Sequence, residues 1–298
     1  MDYLSPTVTG SHGVPEAALS RAQAATVLVP LDGTEEALAA LPVARLVAEL
    51  EHAALHLVHI TDQAQPAREL LSQLQLNAED VHGVILDQGI GNPAEEIVRI
   101  ASQQKSPYIV MCTHTGPKEP ISELGIVATE VVHRAPCPVI LVPPGLSRQP
   151  THLRHVLLPH DGTPTTAATA GPALEFVERT DAELVVLHVT AAGATQPMEP
   201  GSMTAPRYVD QAQYEWPSWV HEFLERAHCP QEQTSRLRMA LAVGETGEEI
   251  NRFARENHVD LIVFGWHGTL NAEHAGAIRS VLHEPPCPLL LLRLGEVK

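Results

Sequence analysis

Histidine supplies most of the chemistry-bearing side chains in this 298-residue chain, with seventeen copies. Three of them, His160, His188 and His267, fall near predicted strand ends in the second half, where converging imidazoles would be able to hold a metal ion. No His-x-His or His-Glu-x-x-His spacing accompanies them. His188 also has a counterpart at His59 in the first half, which gives that position to the scaffold, so no metal site is expected. The carboxylate pairs Glu35/Glu36, Glu95/Glu96 and Glu248/Glu249 all fall in the first turns of predicted helices. There they complement the helix dipole on a solvated face and do no acid–base work. Neither a Gly-x-Ser-x-Gly nucleophile turn nor a Cys-x-x-Cys pair is present. The cysteines are Cys112, Cys137, Cys229 and Cys287. Cys137 and Cys287 each stand between prolines ahead of an apolar run, the setting of a buried thiol and not of a disulfide. Residue chemistry points to a protein that binds and does not catalyse.

Composition narrows the partners. Nineteen basic and thirty-six acidic side chains leave a formal charge of −17. There are 8 basic against 17 acidic residues up to position 148, and 11 against 19 beyond it, so both halves share the acidity. Such a surface repels nucleic-acid phosphates, and no basic run offsets it. Only Lys105, Lys118 and Lys298 are lysines, so a phosphate-bearing ligand would have to rely on backbone N–H groups and helix N-termini. No apolar run reaches the roughly 18 residues of a membrane span. Residues 1–22 lack the charged start and apolar middle of a signal peptide. A cytoplasmic protein with no membrane partner is the expectation.

The elements that position these residues come in two copies. Val27–Thr34 (VLVPLDGT) returns as Val156–Thr163 (VLLPHDGT) at an offset of 129, and Leu57-Val58-His59 returns as Val186-Leu187-His188 at the same offset. Glu95-Glu96-Ile97 matches Glu248-Glu249-Ile250 at 153, and Pro136-Cys137-Pro138 matches Pro286-Cys287-Pro288 at 150. The second copy therefore gains 24 residues over about 193–218, then loses three between Gly268 and Ala275. The inserted stretch holds Met198, Met203, Tyr208, Tyr214 and Trp216, with Trp219 just beyond, and a long aromatic-bearing loop suits a partner surface. In the first copy, strands are predicted at Val27–Pro30, Leu55–His59, Gly83–Gln88, Tyr108–Cys112 and Val139–Val142. Helices are predicted after Thr34, over 66–80, from Pro93 to Gln104 and from Gly125 to His133. Strands alternating with helices give right-handed crossovers and a doubly wound parallel α/β sheet. The boundaries are a loose tail over 1–22, one domain over 23–147 and a second over 152–298.

In an open parallel sheet, ligands bind beyond the carboxyl ends of the strands, where the strand order reverses. The residues at those ends are Asp32, His59, Gly89-Ile90-Gly91 and Cys112-Thr113-His114-Thr115 in the first copy. In the second they are His160-Asp161, His188, Gly244 and Gly265-Trp266-His267-Gly268. Together with Gly91-Asn92-Pro93-Ala94-Glu95-Glu96-Ile97 and Ala135-Pro136-Cys137-Pro138-Val139, they make residues 25–294 resemble the universal stress protein family in its tandem two-domain form. The resemblance implies two Rossmann-type domains of the adenine-nucleotide alpha-hydrolase-like kind. It also implies that the edge strands Val139–Val142 and Leu289–Leu292 pair the domains as an intrachain pseudo-dimer, and the same habit leaves a homodimer of chains open.

For family members that bind ATP, the resemblance implies an aspartate meeting adenine and a Gly-x-x-Gly-x(9)-Gly-Ser/Thr loop around the phosphates. The first copy departs from that pattern. Cys112 and Thr115 replace the glycine pair, and Ile126 follows Gly125 in place of a hydroxyl residue, so Asp32 and Gly125 belong to a degenerate site that needs no cofactor. The second copy keeps Asp161, His188, Gly265, His267, Gly268 and Gly276, though the connection is three residues short and Ala275-Gly276 replaces Gly-Ser. Two readings stand for it: an adenine-nucleotide site for ATP or a relative, or glycines that serve only the strand-to-helix turn. Trp266, between the glycines, suits core or rim packing better than stacking on a base. The implied function is a regulatory or binding protein of the stress response, not an enzyme beyond weak ATP hydrolysis. The alternatives are an interaction protein using 193–219 and, third, a small-molecule hydrolase or metal enzyme.

Overall fold

The computed structural model describes residues 25–77, 79–114, 124–146, 148–190, 202–203, 212–226, 236–266 and 276–294. The chain divides into two compact units, Met1–Thr151 and His152–Lys298. In unit one the strands β1 (Thr26–Pro30), β2 (Ala54–Thr61), β3 (Ile85–Ile90), β4 (Ile109–Cys112) and β5 (Val139–Val142) pair all-parallel in the order 3-2-1-4-5. Val29 registers with Leu57 on one side of β1, and Leu28 with Ile109 on the other. The order reverses between β1 and β4, which opens a crevice beyond their carboxyl ends. A strand covered on both faces reads as a continuous apolar run, and Val27, Leu28 and Val29 are accordingly withdrawn from solvent.

A short 3-10 turn over Glu36–Ala39 leads into α1 (Ala40–Leu50), which buries Leu41, Val43, Ala44 and Val47. Helix α3 (Pro93–Gln104) shows why it starts and stops where it does. The Asn92 side chain accepts from the Glu95 N–H at 3.1 Å, Pro93 occupies the first turn, and Lys105 ends the helix in the left-handed conformation. Two elements differ from the sequence reading. The helix expected over 66–80 is only α2 (Ala67–Gln73). Beyond it, Gln75 takes a positive φ of 56°, and the Asn77 side chain accepts from the N–H groups of Glu79 and Asp80. A short polar side chain has there offered the backbone a turn in place of the helical ladder. The strand expected over 83–88 runs over Ile85–Ile90 instead, because Gly83 turns the chain at φ 74°. Helix α4 (Ile126–Arg134) begins just after Gly125, whose extended backbone forms its cap.

Unit two repeats the plan. Strands β6 (His155–His160), β7 (Glu183–Thr190), β8 (Leu237–Val243), β9 (Leu261–Trp266) and β10 (Leu289–Arg293) are parallel in the order 8-7-6-9-10. Its helices are α5 (Pro164–Glu178), α6 (Ala212–Arg226), α7 (Thr246–Glu256) and α8 (Gly276–His283). Helix α7 packs tightly on α8. A Cβ at Gly247 would fall within 2.5 Å of the Ser280 side chain, so the two backbones approach as only glycine allows. Gly247→Ala is expected to lower stability by about 1–2 kcal/mol, the usual cost of overpacking. Urea unfolding followed by circular dichroism checks this, and Ser280→Gly in the same chain should recover most of the loss. Among the described residues no helix is long and apolar enough to cross a membrane.

Candidate functional site

Both copies place their aspartate in the same turn. In unit one, Asp32 Oδ1 accepts from the Thr34 N–H at 3.0 Å and from the Thr34 hydroxyl at 2.7 Å, while Gly33 takes φ 90°. The Thr34 hydroxyl oxygen in turn accepts from the Ala37 N–H at 3.3 Å. In unit two, Asp161 Oδ1 accepts from the Thr163 N–H at 2.9 Å, the Thr163 hydroxyl at 2.7 Å and the Thr166 hydroxyl at 2.6 Å. Partial burial raises the Asp161 carboxyl, but hydrogen bonds from Thr166 and Thr163 outweigh it and hold the group below its ordinary range.

The paired histidines do the same work in each copy. His59 Nδ1 lies 2.8 Å from the Leu31 carbonyl and His188 Nδ1 lies 2.8 Å from the His160 carbonyl. A carbonyl only accepts, so both rings carry their proton on Nδ1 and present a lone pair at Nε2. In unit one, Gln73 faces that lone pair at 3.3 Å. These histidines tie the end of one strand to the next, which is a structural duty.

The crevice of unit one is open. A cavity of about 320 Å³ lies beyond the ends of β1, β2 and β4 and before the first turn of α4. That is near the lower end of the range for small-molecule pockets. Val58, Ile60, Ile97 and Met111 form its apolar wall, and Asp32 and Thr113 bring polar groups to it. Among the described residues that line it, none is Lys or Arg. The Gly125 N–H is committed to the Thr113 carbonyl at 2.8 Å, and the Ile126 side chain stands 78% exposed at the rim. Cys112 also lines the cavity, where burial pushes its thiol up to about 11, and it donates to the His114 carbonyl. A thiol so rarely ionised is a poor nucleophile.

The corresponding crevice of unit two is furnished differently. A Cβ at Gly265 would collide with the Thr169 Oγ1 and fall 2.8 Å from Leu294 Cδ1, so this glycine lets α5 and the residue after β10 close onto β9. Trp266 is buried, in keeping with its expected packing role. Met203, from the inserted stretch, donates its N–H to the Gly162 carbonyl at 2.7 Å and sits against the Asp161-Gly162-Thr163 turn. Trp219 is buried too, so it is not part of a surface for partners. It lies four residues before Phe223 on α6; both rings pack on His160, and Trp219 packs on His188 as well. Gly276 opens α8, and among the described residues nothing lies within 4 Å of its would-be Cβ. His267 and Gly268 lie outside the described residues, as does Thr115 in unit one.

Among the described residues, His160 and His188 are not disposed as a pair of metal ligands. His160 Nδ1 accepts from the Gly162 N–H at 2.8 Å, which leaves its proton on Nε2 and no lone pair to give. Among the described residues no group of three or more His, Cys, Asp or Glu side chains could hold a metal ion. Gln73 and Thr169 were not singled out from the sequence, and no motif marks them. The Trp219–Phe223 spacing was a readable signal of one inward helix face.

The universal stress protein family model matches residues 61–143 and 152–293, more than half of the chain. No curated protein matches it in sequence. Among solved structures, a functionally unknown protein from Pseudomonas aeruginosa PAO1 is 16% identical, with a TM-score of 0.61 over 92% of this chain and 94% of that one. A universal stress protein from Archaeoglobus fulgidus DSM 4304 is 17% identical, with a TM-score of 0.58 over 93% of this chain and 99% of that one. At such identities the likeness concerns the fold alone.

Proposed function

The chain belongs to the universal stress protein family, and from that premise we propose that it is a stress-response binding protein whose small-molecule ligand sits in unit one. It acts through occupancy and not through catalysis. The observation that carries this reading is the 320 Å³ cavity at the point where the strand order reverses. The base-and-sugar body of an adenine nucleotide or nucleoside suits apolar walls with Asp32 and Thr113 for its polar edge. Phosphates are less well served. No described lining residue is cationic, so they would depend on backbone N–H groups at the start of α4. A second reading places an adenine nucleotide in unit two, at Asp161, His188, Gly265, His267, Gly268 and Gly276. It is favoured by the open space around Gly276.

Calorimetric titration with adenosine and with ATP separates the two. Ile126→Trp adds bulk at the rim from an exposed position that the fold can accommodate, and Asp32→Ala removes the polar anchor. Each should weaken binding at least tenfold, about 1.4 kcal/mol, while Asp161→Ala leaves it unchanged. Binding lost only in Asp161→Ala supports unit two, and no binding of either probe rejects both readings.

A further inference from the structure

The two copies differ most where β6 ends. In unit one the position is Leu31, and the neighbouring His59 has both ring nitrogens occupied, by the Leu31 carbonyl and by Gln73. In unit two that leucine is His160, and two imidazoles lie side by side. His160 and His188 are each 3% exposed, and the Nε2 atom of each finds no hydrogen-bond partner among the described residues. Helix α6 closes over them. Phe223 meets His160 edge-on at 4.7 Å between ring centres, and Trp219 lies 5.8 Å from His160 and 4.9 Å from His188. A leucine is buried at this place in unit one, where Leu31 lines the cavity with no polar side-chain atom to satisfy. A histidine leaves a buried polar group unsatisfied, which is unfavourable. What it adds is a proton-binding group.

We propose that α6 is an acid-released cover over the strand ends of unit two, with His160 as the group that takes up the proton. The Nδ1 lone pair of His160 is held by the Gly162 N–H. A proton arriving on Nδ1 sets N–H against N–H, so that contact breaks. The Gly162 turn also carries Met203 through its carbonyl, which links the inserted stretch to the same event. Burial opposes charging most strongly, the Asp161 carboxylate on the same turn favours it, and His188 on β7 and Arg226 on α6 oppose it. Arg226 is itself paired with Glu222, and His221 pairs with Glu225 on the exposed side of α6. Together they push His160 down to about 4, and burial lowers His188 as well.

The sign follows from linkage. Once uncovered, His160 returns to an ordinary value near 6.5, so the uncovered form binds more protons throughout the interval between that value and about 4. Acid therefore favours release. Going from pH 7 to pH 5 moves the balance toward the uncovered form by about 20-fold through His160 alone. His188 acts in the same direction.

The test is fluorine NMR of the full chain labelled with 5-fluorotryptophan, with the Trp219 resonance assigned through Trp219→Phe. Between pH 7 and pH 4.5 the Trp219 signal is expected to acquire the solvent isotope shift of an exposed ring, while Trp266 and the far-ultraviolet circular dichroism stay native. His160→Leu, which restores the residue of unit one, should keep Trp219 buried over the same range. The proposal is overturned by any of three results. Trp219 stays buried in the unsubstituted chain at pH 4.5, it is exposed at the same pH in His160→Leu, or it is exposed only together with Trp266 and loss of the dichroism. If His160→Leu is not native at pH 7, the His160 ring-proton titration in the unsubstituted chain decides. A midpoint coincident with Trp219 exposure supports release, and one separated by more than a pH unit overturns it.

Discussion

Asp260→Ala is expected to lower the stability of unit two by about 3 kcal/mol, the cost of leaving two backbone donors without their charged acceptor. Asp260 precedes β9 and is almost wholly buried. Its Oδ2 accepts from the Arg154 N–H at 2.8 Å and the His155 N–H at 3.1 Å, and its own N–H donates to the His155 carbonyl at 2.8 Å. One side chain thus fastens the start of β9 to the start of β6 across more than a hundred residues, and so sets where β9 delivers Gly265 and Trp266. Urea unfolding measures the loss. Asp260→Asn retains an acceptor oxygen and should lose less than half as much, whereas equal losses in the two variants would contradict this role. The first copy has Pro107 at the matching position, so the fastening belongs to unit two.

Gly265→Val is expected to cost about 3 kcal/mol, at the upper end of ordinary overpacking. The introduced side chain meets the Thr169 hydroxyl and Cβ on α5 as well as Leu294 Cδ1, so α5 must give way along with the leucine tip. Thr169→Ala in the same chain should restore a substantial part of the loss, since the two positions share one space and are energetically coupled. A glycine kept for a phosphate would behave differently. Gly265→Val would then leave thermal stability nearly intact, Thr169→Ala would rescue nothing, and only nucleotide binding would suffer.

The tandem fold was legible in the sequence because a parallel strand buried on both faces writes an unbroken apolar run, and this chain writes each of them twice. The Val-Leu-Val-Pro and Val-Leu-Leu-Pro runs, the Asn92-Pro93 helix start and the Glu pairs behind it are local signals, and each fixes an element by itself. Crossover handedness made the sheets parallel and doubly wound, while the strand order came from the structure. The contents of the two crevices were not legible, for a physical reason. Gly265 looks the same in a list of residues whether its missing side chain makes room for a phosphate or for Thr169, and Thr169 is separated from it by almost a hundred positions. Cys112 looked like the loss of a glycine, yet its small side chain lines an open cavity. His188 was read as scaffold from its counterpart at His59, and the hydrogen bonds to the preceding strand explain why. The insertion suggested a surface for partners, and most of it, with Met198, Tyr208 and the side chains of Tyr214 and Trp216, lies outside the described residues; Trp219 is the aromatic whose direction is seen. Helical spacing to Phe223 turns both inward.

The most direct test of the ligand site in unit one is photo-crosslinking of the full chain with 8-azidoadenosine, followed by peptide mapping and competition with adenosine. The account predicts an adduct in peptides carrying residues 109–114 or 124–134, lost on competition and lost in Ile126→Trp. A competed adduct confined to peptides of unit two, such as the one beginning α8 at Gly276, would contradict it.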